Sequence, residues 1–281
     1  MNTRPGAAPF TERTPRVVAA RRLTRRHGRA EAGRFLAEGA QAVREALVYG
    51  VVHELFVTPA AAQKHPDLVA TTAVPVSEVT EKAAAAMSET VTPQGILAVC
   101  DLVDVPIETA LHGSPQLVAV LCEIADPGNA GTVLRVADAA GADAVVFAGD
   151  AVDPHNGKCV RASAGSVFHL PVARSRDVHD ALTACRAAGL QLIAADGHAD
   201  DDLDTAADLE RPTAWVFGSE AHGLSAEIRE ATDRSLRVPI HGHAESLNLA
   251  TAAAVCMYTS ARVHRYTGQI GAEDVTRRRP T

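Results

Sequence analysis

The chain is poor in aromatic residues, 4% of 281, with one Trp, three Tyr and six Phe. Its core must therefore be built from Ala, Val, Leu and Ile, which the 47% hydrophobic content supplies. That balance fits an Ala-rich α/β protein and argues against a disordered chain, which lacks apolar surface to bury. No apolar run reaches the ~18 residues that a membrane helix requires. The first residues, MNTRPGAAPFTERTPR, lack the apolar stretch of a signal peptide. The five cysteines, at 100, 122, 159, 185 and 256, form an odd set without a C-x-x-C pair. Reduced structural thiols in a cytoplasmic protein are the expected reading.

Several catalytic patterns are also missing. Residues 121–150 read as strand, loop, helix and strand, the order of many phosphate sites. Yet the loop, Asp126-Pro127-Gly128-Asn129-Ala130-Gly131, carries neither G-x-G-x-x-G nor G-x-x-x-x-G-K-[ST]. A nicotinamide-dependent oxidoreductase or a nucleotide-triphosphate cradle is thus poorly supported. The Gly preceding Ser219 is not part of a G-x-S-x-G elbow. His241-Gly242-His243 has no Cys or carboxylate partner at metal-site spacing, so no metal is expected. Asp200 to Asp204 is acidic but lacks the calcium-loop pattern and reads as a solvated loop.

What is present begins with charge. The net charge is −7, but residues 1–34 hold nine Arg and no Lys against Glu12 and Glu31. Residues 262–281 hold five Arg against Glu273 and Asp274. Basic ends around an acidic body suggest contact with a polyanion. A solvated tail is the alternative for residues 1–15, which are rich in Pro, Gly, Ala and Thr and read as disordered. From Arg21 the basic run leads directly into structured sequence, so Arg21, Arg22, Arg25 and Arg26 are the candidates for contact with such a polyanion.

The alternation of apolar and polar runs gives two α/β series. The first, 16–103, has strands at FLAEG, VVHELFVTP, VPVSE and GILAVCDLV with helices between them. Residues 104–115 read as a linker, partly helical, and 116–267 as the second domain, followed by a basic tail over 268–281. The second series has apolar strands at 117–124, 144–149, 190–195, 213–218 and 235–240. Such nearly continuous apolar runs are expected where helices cover both faces of a parallel sheet. Helices are expected at about 131–140, 155–164, 177–188, 224–231 and 246–266.

Ligands bind at strand C-terminal ends in open α/β sheets, and three such ends gather polar residues. The first offers Asn129 and then Arg135, the only Arg or Lys from 117 to 157. Alone, Arg135 could equally be a surface residue pairing with Asp138. The second is Phe217-Gly218-Ser219-Glu220-Ala221-His222-Gly223-Leu224-Ser225, where Ser225 could simply cap a helix. The third runs from Val238 to Leu249 and includes Ser246 and Asn248 at the start of an apolar helix. Both could satisfy free backbone groups there. The small residues Ala250 to Ala254 suit either a core helix or a packing face against a second subunit.

Taken together, N-x-G-x-x-x-R (129–135), F-G-S-E-x-x-G-L (217–224) and V-P-I…S-L-N (238–248) resemble the three motifs of the SpoU/TrmH family. These are RNA ribose 2′-O-methyltransferases of the SPOUT superfamily. R-A-S-A-G-S (161–166), before the strand-like VFHLPV, resembles an intermediate segment of the family. H-G-R-A-E-A-G-R-F-L-A-E-G (27–39) and P-Q-G-I-L-A-V (93–99) resemble, more loosely, the RNA-binding domain that many members carry.

The resemblance implies a trefoil-knotted parallel-sheet methyltransferase domain behind a smaller α/β RNA-binding domain. It further implies a homodimer with S-adenosylmethionine cradled by backbone around Gly218, Val238, Ile240 and Leu247. The polar site would be Asn129, Arg135, Glu220, Ser246 and Asn248. In this reading Glu220 orients Arg135, while Ser246 and Asn248 fix the ribose and the loop. Arg135 grips a phosphate and stabilises the developing alkoxide, since a guanidinium with pKa above ~12 makes a poor base. Ribosomal RNA is the expected substrate. Transfer RNA, or a non-catalytic RNA-binding protein of the same fold, are the alternatives.

Overall fold

The computed structural model describes residues 8–70 and 73–266. The chain divides into two compact units. One runs to Val103 and takes in Ala130–Arg135 and Asp153–His169; the other holds Asp104–Asn129, Val136–Val152 and the chain from Leu170 onward.

In the first unit, Pro15 opens α1 (Pro15–Arg22), where a missing N–H costs nothing. Helix α2 (Arg26–Ala32) follows and is ended by Gly33 in the left-handed conformation, φ 63°. Then come β1 (Arg34–Glu38), α3 (Ala40–Tyr49) and β2 (Val52–Val57), with Gly50 closing α3 as the sequence suggests. Helices α4 (Pro59–Lys64) and α5 (Pro66–Ala70) precede β3 (Val76–Glu78), α6 (Glu81–Ala86) and β4 (Ile96–Asp101). Thr58 and Thr80 cap α4 and α6 by accepting the amides of Ala61 and Ala83. The sheet order is β1-β4-β2-β3, with β4 antiparallel to both neighbours and β2–β3 parallel. Val17, Ala20 and Leu23 of α1 and its C-cap pack with Leu36, Phe56, Met87 and Leu97 in one core.

The sequence predicts a disordered tail over 1–15, and residues 1–7 of it lie outside the described residues. The part from Phe10 onward is instead built in. Phe10 donates its amide to Glu78 and accepts that of Thr80, extending the sheet beside Val79. Its ring packs against the core, and that apolar burial holds the segment down.

Among the described residues the second unit contains seven strands, all parallel. They are β5 (Asp104–Val105), β6 (Leu117–Cys122), β7 (Ala144–Ala148), β8 (Val172–Ser175), β9 (Gln191–Ala195), β10 (Thr213–Phe217) and β11 (Arg234–Leu236). Their order is β11-β9-β10-β6-β7-β8-β5. The helices are α7 (Ile107–Ala110), α8 (Pro127–Ala140), α9 (Gly157–Ser163), α10 (Val178–Ala187), α11 (Ala226–Glu230) and α12 (Leu249–Tyr266). Of these, α9 and the middle of α8 fall in the first unit. Every residue of β6, β7 and β10 is buried, which explains their unbroken apolar sequences.

Residues 104–115 differ from the expected linker. Asp104–Val105 pairs with β8 as the edge of the seven-stranded sheet, and Ala110 and Leu111 join its core. The segment VFHLPV is not a strand. Ser166–Phe168 forms a 3-10 turn, and β8 begins only at Val172. The expected strand 235–240 ends at Leu236, and α12 starts at Leu249 rather than 246. The basic tail 268–281 lies outside the described residues. No described helix is long and apolar enough to cross a membrane. All five cysteines are free and buried, as expected of structural thiols. Burial pushes Cys100, Cys122, Cys185 and Cys256 up to about 12.

Candidate functional site

Strands β6 and β10 are neighbours, with Leu121 opposite Phe217. This register sets the turn after β10 beside the loop between β6 and α8, though they lie far apart in sequence. The turn after β10 folds tightly on itself. Ser219 and Gly223 exchange both backbone hydrogen bonds, at 3.1 and 2.8 Å, and Gly223 has φ 65°. A Cβ on Gly218 would sit 2.3 Å from the Gly223 carbonyl carbon, so only glycine permits this closure. Ser225 then caps α11 by accepting the Ile228 amide.

The turn projects Glu220 at the start of α8. Its carboxylate accepts the amides of Ala125 and Asp126, at 3.2 and 3.3 Å, and the Nδ2 of Asn129 at 2.9 Å. Asp126 caps the same helix by accepting the Asn129 amide at 2.8 Å. Two carboxylates thus occupy the positive end of α8. The amides of Ala125, Asp126 and Asn129 are thus taken by protein carboxylates.

Asn129 continues the chain of hydrogen bonds. Its Oδ1 accepts from Nδ2 of Asn248 at 3.0 Å, and Asn248 Oδ1 accepts the Ala250 amide at 2.9 Å at the head of α12. Asn248 therefore caps a helix and joins Asn129 at once. The relay Glu220–Asn129–Asn248 fixes both amide orientations, because each oxygen faces a donor and each Nδ2 an acceptor. Each amide keeps one further N–H, and Asn129 and Asn248 are half-buried and exposed respectively, so that capacity faces outward.

Of the expected polar residues, Asn129, Glu220 and Asn248 are brought together. Ser246 is exposed on the loop before α12 and takes no part in the relay. Arg135 is exposed on α8, six positions after Asn129 and so on a different face of that helix. The expected pairing of Glu220 with Arg135 is replaced: the hydrogen bonds of Glu220 go to Ala125, Asp126 and Asn129. Val238, Ile240 and Leu247 lie on the irregular stretch between β11 and α12. Ile240 and Leu247 are each 37% exposed, and residues 238–247 make no backbone–backbone hydrogen bond to any described residue.

One polar network has no signal in sequence motifs. In the first unit, Arg29 is buried and grips Asp153 through Nε and Nη2, at 2.9 and 2.7 Å. Its Nη1 donates to the carbonyls of Leu23 and Thr24. Val103 donates its amide to Nε2 of buried His155 at 3.1 Å, which leaves the ring proton on Nδ1, facing Asp153. Burial pushes the Asp153 carboxyl up, but the hydrogen bonds from His155 and the charge of Arg29 outweigh it and hold the group well below the usual range. Arg29 thus leaves the set of exposed arginines, whereas Arg21, Arg22, Arg25 and Arg26 remain exposed. No group of His, Cys, Asp and Glu suited to a metal occurs among the described residues.

Similarity to known proteins covers both units. Residues 116–258 match the SpoU rRNA Methylase family, and residues 14–98 match the MRM3-like substrate binding domain. The 23S rRNA (guanosine(2553)-2′-O)-methyltransferase of Bacillus subtilis is 36% identical over 242 residues, 85% of this chain and 92% of its own length. An AdoMet-bound rRNA methyltransferase from Sinorhizobium meliloti superposes with a TM-score of 0.79 at 30% identity, covering 91% of this chain and 97% of that one. The SpoU methyltransferase AviRb from Streptomyces viridochromogenes, in complex with AdoMet, gives a TM-score of 0.79 at 29% identity over 91% of this chain and all of its own (100%). The chain belongs to the SpoU rRNA methylase family.

Proposed function

We propose that this protein transfers a methyl group from S-adenosylmethionine to a ribose 2′-hydroxyl of ribosomal RNA. The observation that carries the reading is the Glu220–Asn129–Asn248 relay, which ties all three motif segments into one polar cluster at strand ends. Relatives named as 23S rRNA 2′-O-methyltransferases support ribosomal over transfer RNA.

The stretch from Val238 to Leu247 suits the cofactor. It offers unused backbone donors and acceptors together with the exposed apolar side chains of Ile240 and Leu247. An adenosyl group needs both. Val238, Ile240 and Leu247 would hold it, with Gly218 permitting the tight turn alongside. When bound, the sulfonium supplies an activated methyl group. The protein's own work is alignment and charge. Asn129, already oriented by Glu220, presents its remaining N–H and oxygen lone pair to the ribose. Asn248 and Ser246 fix the sugar and the loop. Arg135 grips a backbone phosphate and stabilises charge growing on the 2′-oxygen, while a phosphate oxygen or water takes the proton.

The exposed guanidinium groups of Arg21, Arg22, Arg25 and Arg26 anchor the RNA on the first unit. The working form in this reading is a cytoplasmic homodimer whose chain is knotted through the 238–248 region. Val255 and Tyr258, exposed at 37% and 46% on α12 beside small residues, offer the apolar face for the second copy. Incubation with methyl-labelled S-adenosylmethionine and total ribosomal RNA tests the whole reading. Label at a 2′-oxygen is the expected result, and label that stays entirely with the cofactor refutes it.

A further inference from the structure

The segment R-A-S-A-G-S (161–166) supplies no member of the Glu220–Asn129–Asn248 relay, yet its geometry is tightly specified. Arg161 and Ser163 close helix α9 (Gly157–Ser163), and the buried Ser163 hydroxyl donates to the Val160 carbonyl at 2.8 Å. Ala164 and Gly165 then both take the left-handed conformation, φ 52° and 103°. The chain leaves the helix at once and enters the 3-10 turn Ser166–Phe168. With seven residues, α9 is too short to hold its place by its own hydrogen bonds. Its position is set by what it touches.

One contact is with α8 at Gly131, in the stretch Ala130–Arg135 that shares a compact unit with α9. A Cβ on Gly131 would lie 2.2 Å from the Cys159 carbonyl oxygen and 2.7 Å from Cβ of Ala162. The carbonyl is backbone of a fully buried residue and cannot swing aside. Glycine at 131 therefore lets the two helices meet backbone to backbone. Arg135 stands four positions after Gly131, so it rises from the same side of α8, one turn beyond the contact. Val133 and Leu134 between them are buried, whereas Arg135 is exposed. A shift of α8 at Gly131 carries the guanidinium with it.

A second contact ties α9 down through Arg161. Its Nη1 donates to Oε2 of Glu38, at the end of β1, at 2.8 Å. Glu38 is buried, and its Oε1 accepts from the hydroxyls of Ser88 and Thr90. Those bonds fix the carboxylate, so Arg161 grips a stationary post. Removing the cation leaves a buried carboxylate without its charge partner.

We infer that α9 is the seat that positions Arg135 for methyl transfer, with Gly131 and Arg161 as positioning residues. The inference rests on the proposed role of Arg135 in the reaction. Neither positioning residue needs to touch the substrate, because each acts through the placement of one guanidinium. Misplacing an aligned group by about 1 Å can cost on the order of a hundredfold in rate.

The test compares full-length variants in two backgrounds, wild type and Arg135→Ala, by single-turnover methylation of ribosomal RNA at saturating cofactor. In the wild-type background, Gly131→Ala should slow the reaction about tenfold. Arg161→Met should slow it somewhat less, and Arg161→Lys should recover most of that loss, because an ammonium still pairs with Glu38. In the Arg135→Ala background the same changes should alter the residual rate by less than about twofold, since no guanidinium remains to be misplaced. Equal slowing in both backgrounds overturns the inference, because a merely structural role predicts it. A wild-type rate for folded Gly131→Ala overturns it too. Should Gly131→Ala fail to fold, Arg161→Met and Arg161→Lys decide by the same comparison. The outcomes also separate the seat from the reading beneath it. A slow Arg135→Ala beside a normal Gly131→Ala removes the seat alone, whereas a wild-type rate for Arg135→Ala removes the role of Arg135 and the seat with it.

Discussion

Two polar networks organise this molecule, and they are built on opposite terms. The Arg29–Asp153–His155 network is buried, and its charged members are saturated. Asp153 accepts from Nε and Nη2 of Arg29 and from the amide and ring of His155. The Glu220–Asn129–Asn248 relay is largely open to solvent, and its amides retain unused donors and lone pairs. A buried group left short of partners is costly, so the first network tolerates no spare valence. The second does, because solvent can satisfy an exposed donor or acceptor. Saturation suits a structural network, and reserved capacity is what the proposed site requires.

The sharpest way to break this comparison is to delete an acceptor from the buried network. Asp153→Ala strands a buried guanidinium and should lower unfolding stability by about 3–5 kcal/mol. Denaturant titration of the full chain measures it. Methylation per folded molecule should remain, since Asp153 touches no site residue. The same carboxylate gives a pH signature. Its pKa is depressed in the folded state, so its contribution is fully present above the unfolded value near 4 and is lost as pH falls through the lower folded value. Stability of the wild type should therefore decline below about pH 4, and the gap to the variant should narrow there. A gap that stays constant with pH would show that Asp153 carries no linked charge.

Next in size is Arg135. It is exposed on α8, and its proposed work is done in the transition state. Arg135→Ala should slow single-turnover methylation roughly a hundredfold, comparable to removing one oxyanion donor. Cofactor affinity and stability should barely change. Arg135→Lys should rescue little, because an ammonium cannot make a planar two-pronged contact. A near-wild-type rate for the alanine variant would remove Arg135 from the chemistry.

A smaller effect is expected at the basic run. Replacing Arg21, Arg22, Arg25 and Arg26 with Ala should flatten the salt dependence of RNA binding, by roughly 0.7–0.9 in slope for each phosphate no longer neutralised. Cofactor binding measured by calorimetry should be untouched. An unchanged slope would make these residues bystanders and leave Arg29, their buried neighbour, as the one arginine of the run with a defined task.

How much of the fold is legible in the sequence follows from burial. Strands β6, β7, β9 and β10 are readable because their apolar runs are continuous, the mark of strands covered on both faces. Strands β5 and β8 are not: Asp104–Val105 is too short, and Arg174-Ser175 breaks the pattern where β8 meets solvent. The third motif misleads in the other direction. Val238-Pro239-Ile240 looks like strand, but Pro239 cannot donate to a ladder, and Ile240 is exposed. At the site, the residue types are visible through family resemblance, yet the partner of Glu220 is not. It depends on β10 lying beside β6, a fact of sheet order that no local pattern encodes. Arg29 is invisible for a related reason. Within a run of arginines nothing in the letters separates the one that folds inward.

The smallest expected effect sharpens the comparison most. Glu220→Gln keeps the size of the side chain and one acceptor oxygen, but it replaces the other oxygen with an NH2 donor. The native carboxylate receives two backbone amides and the Asn129 side chain, and one carbonyl cannot replace that pattern. The Asn129 amide is then no longer held in one orientation, so it can rotate away from both Asn248 and the ribose. Misplacement of one positioning group should cost about tenfold in methylation rate, less than removal of the charge on Arg135. Because the relay is solvated, freed donors can turn to water, and unfolding stability should stay within about 0.5 kcal/mol of the wild type. The matching change in the other network, Asp153→Asn, also puts an NH2 against existing donors, but burial denies them that substitute. It should lower stability markedly and leave the rate alone. Unfolding curves and single-turnover rates for this pair of isosteric variants test the distinction directly. If Glu220→Gln proves as destabilising as Asp153→Asn while methylation is unaffected, the exposed relay is a structural clamp, and the reserved valence of Asn129 has no part in the reaction.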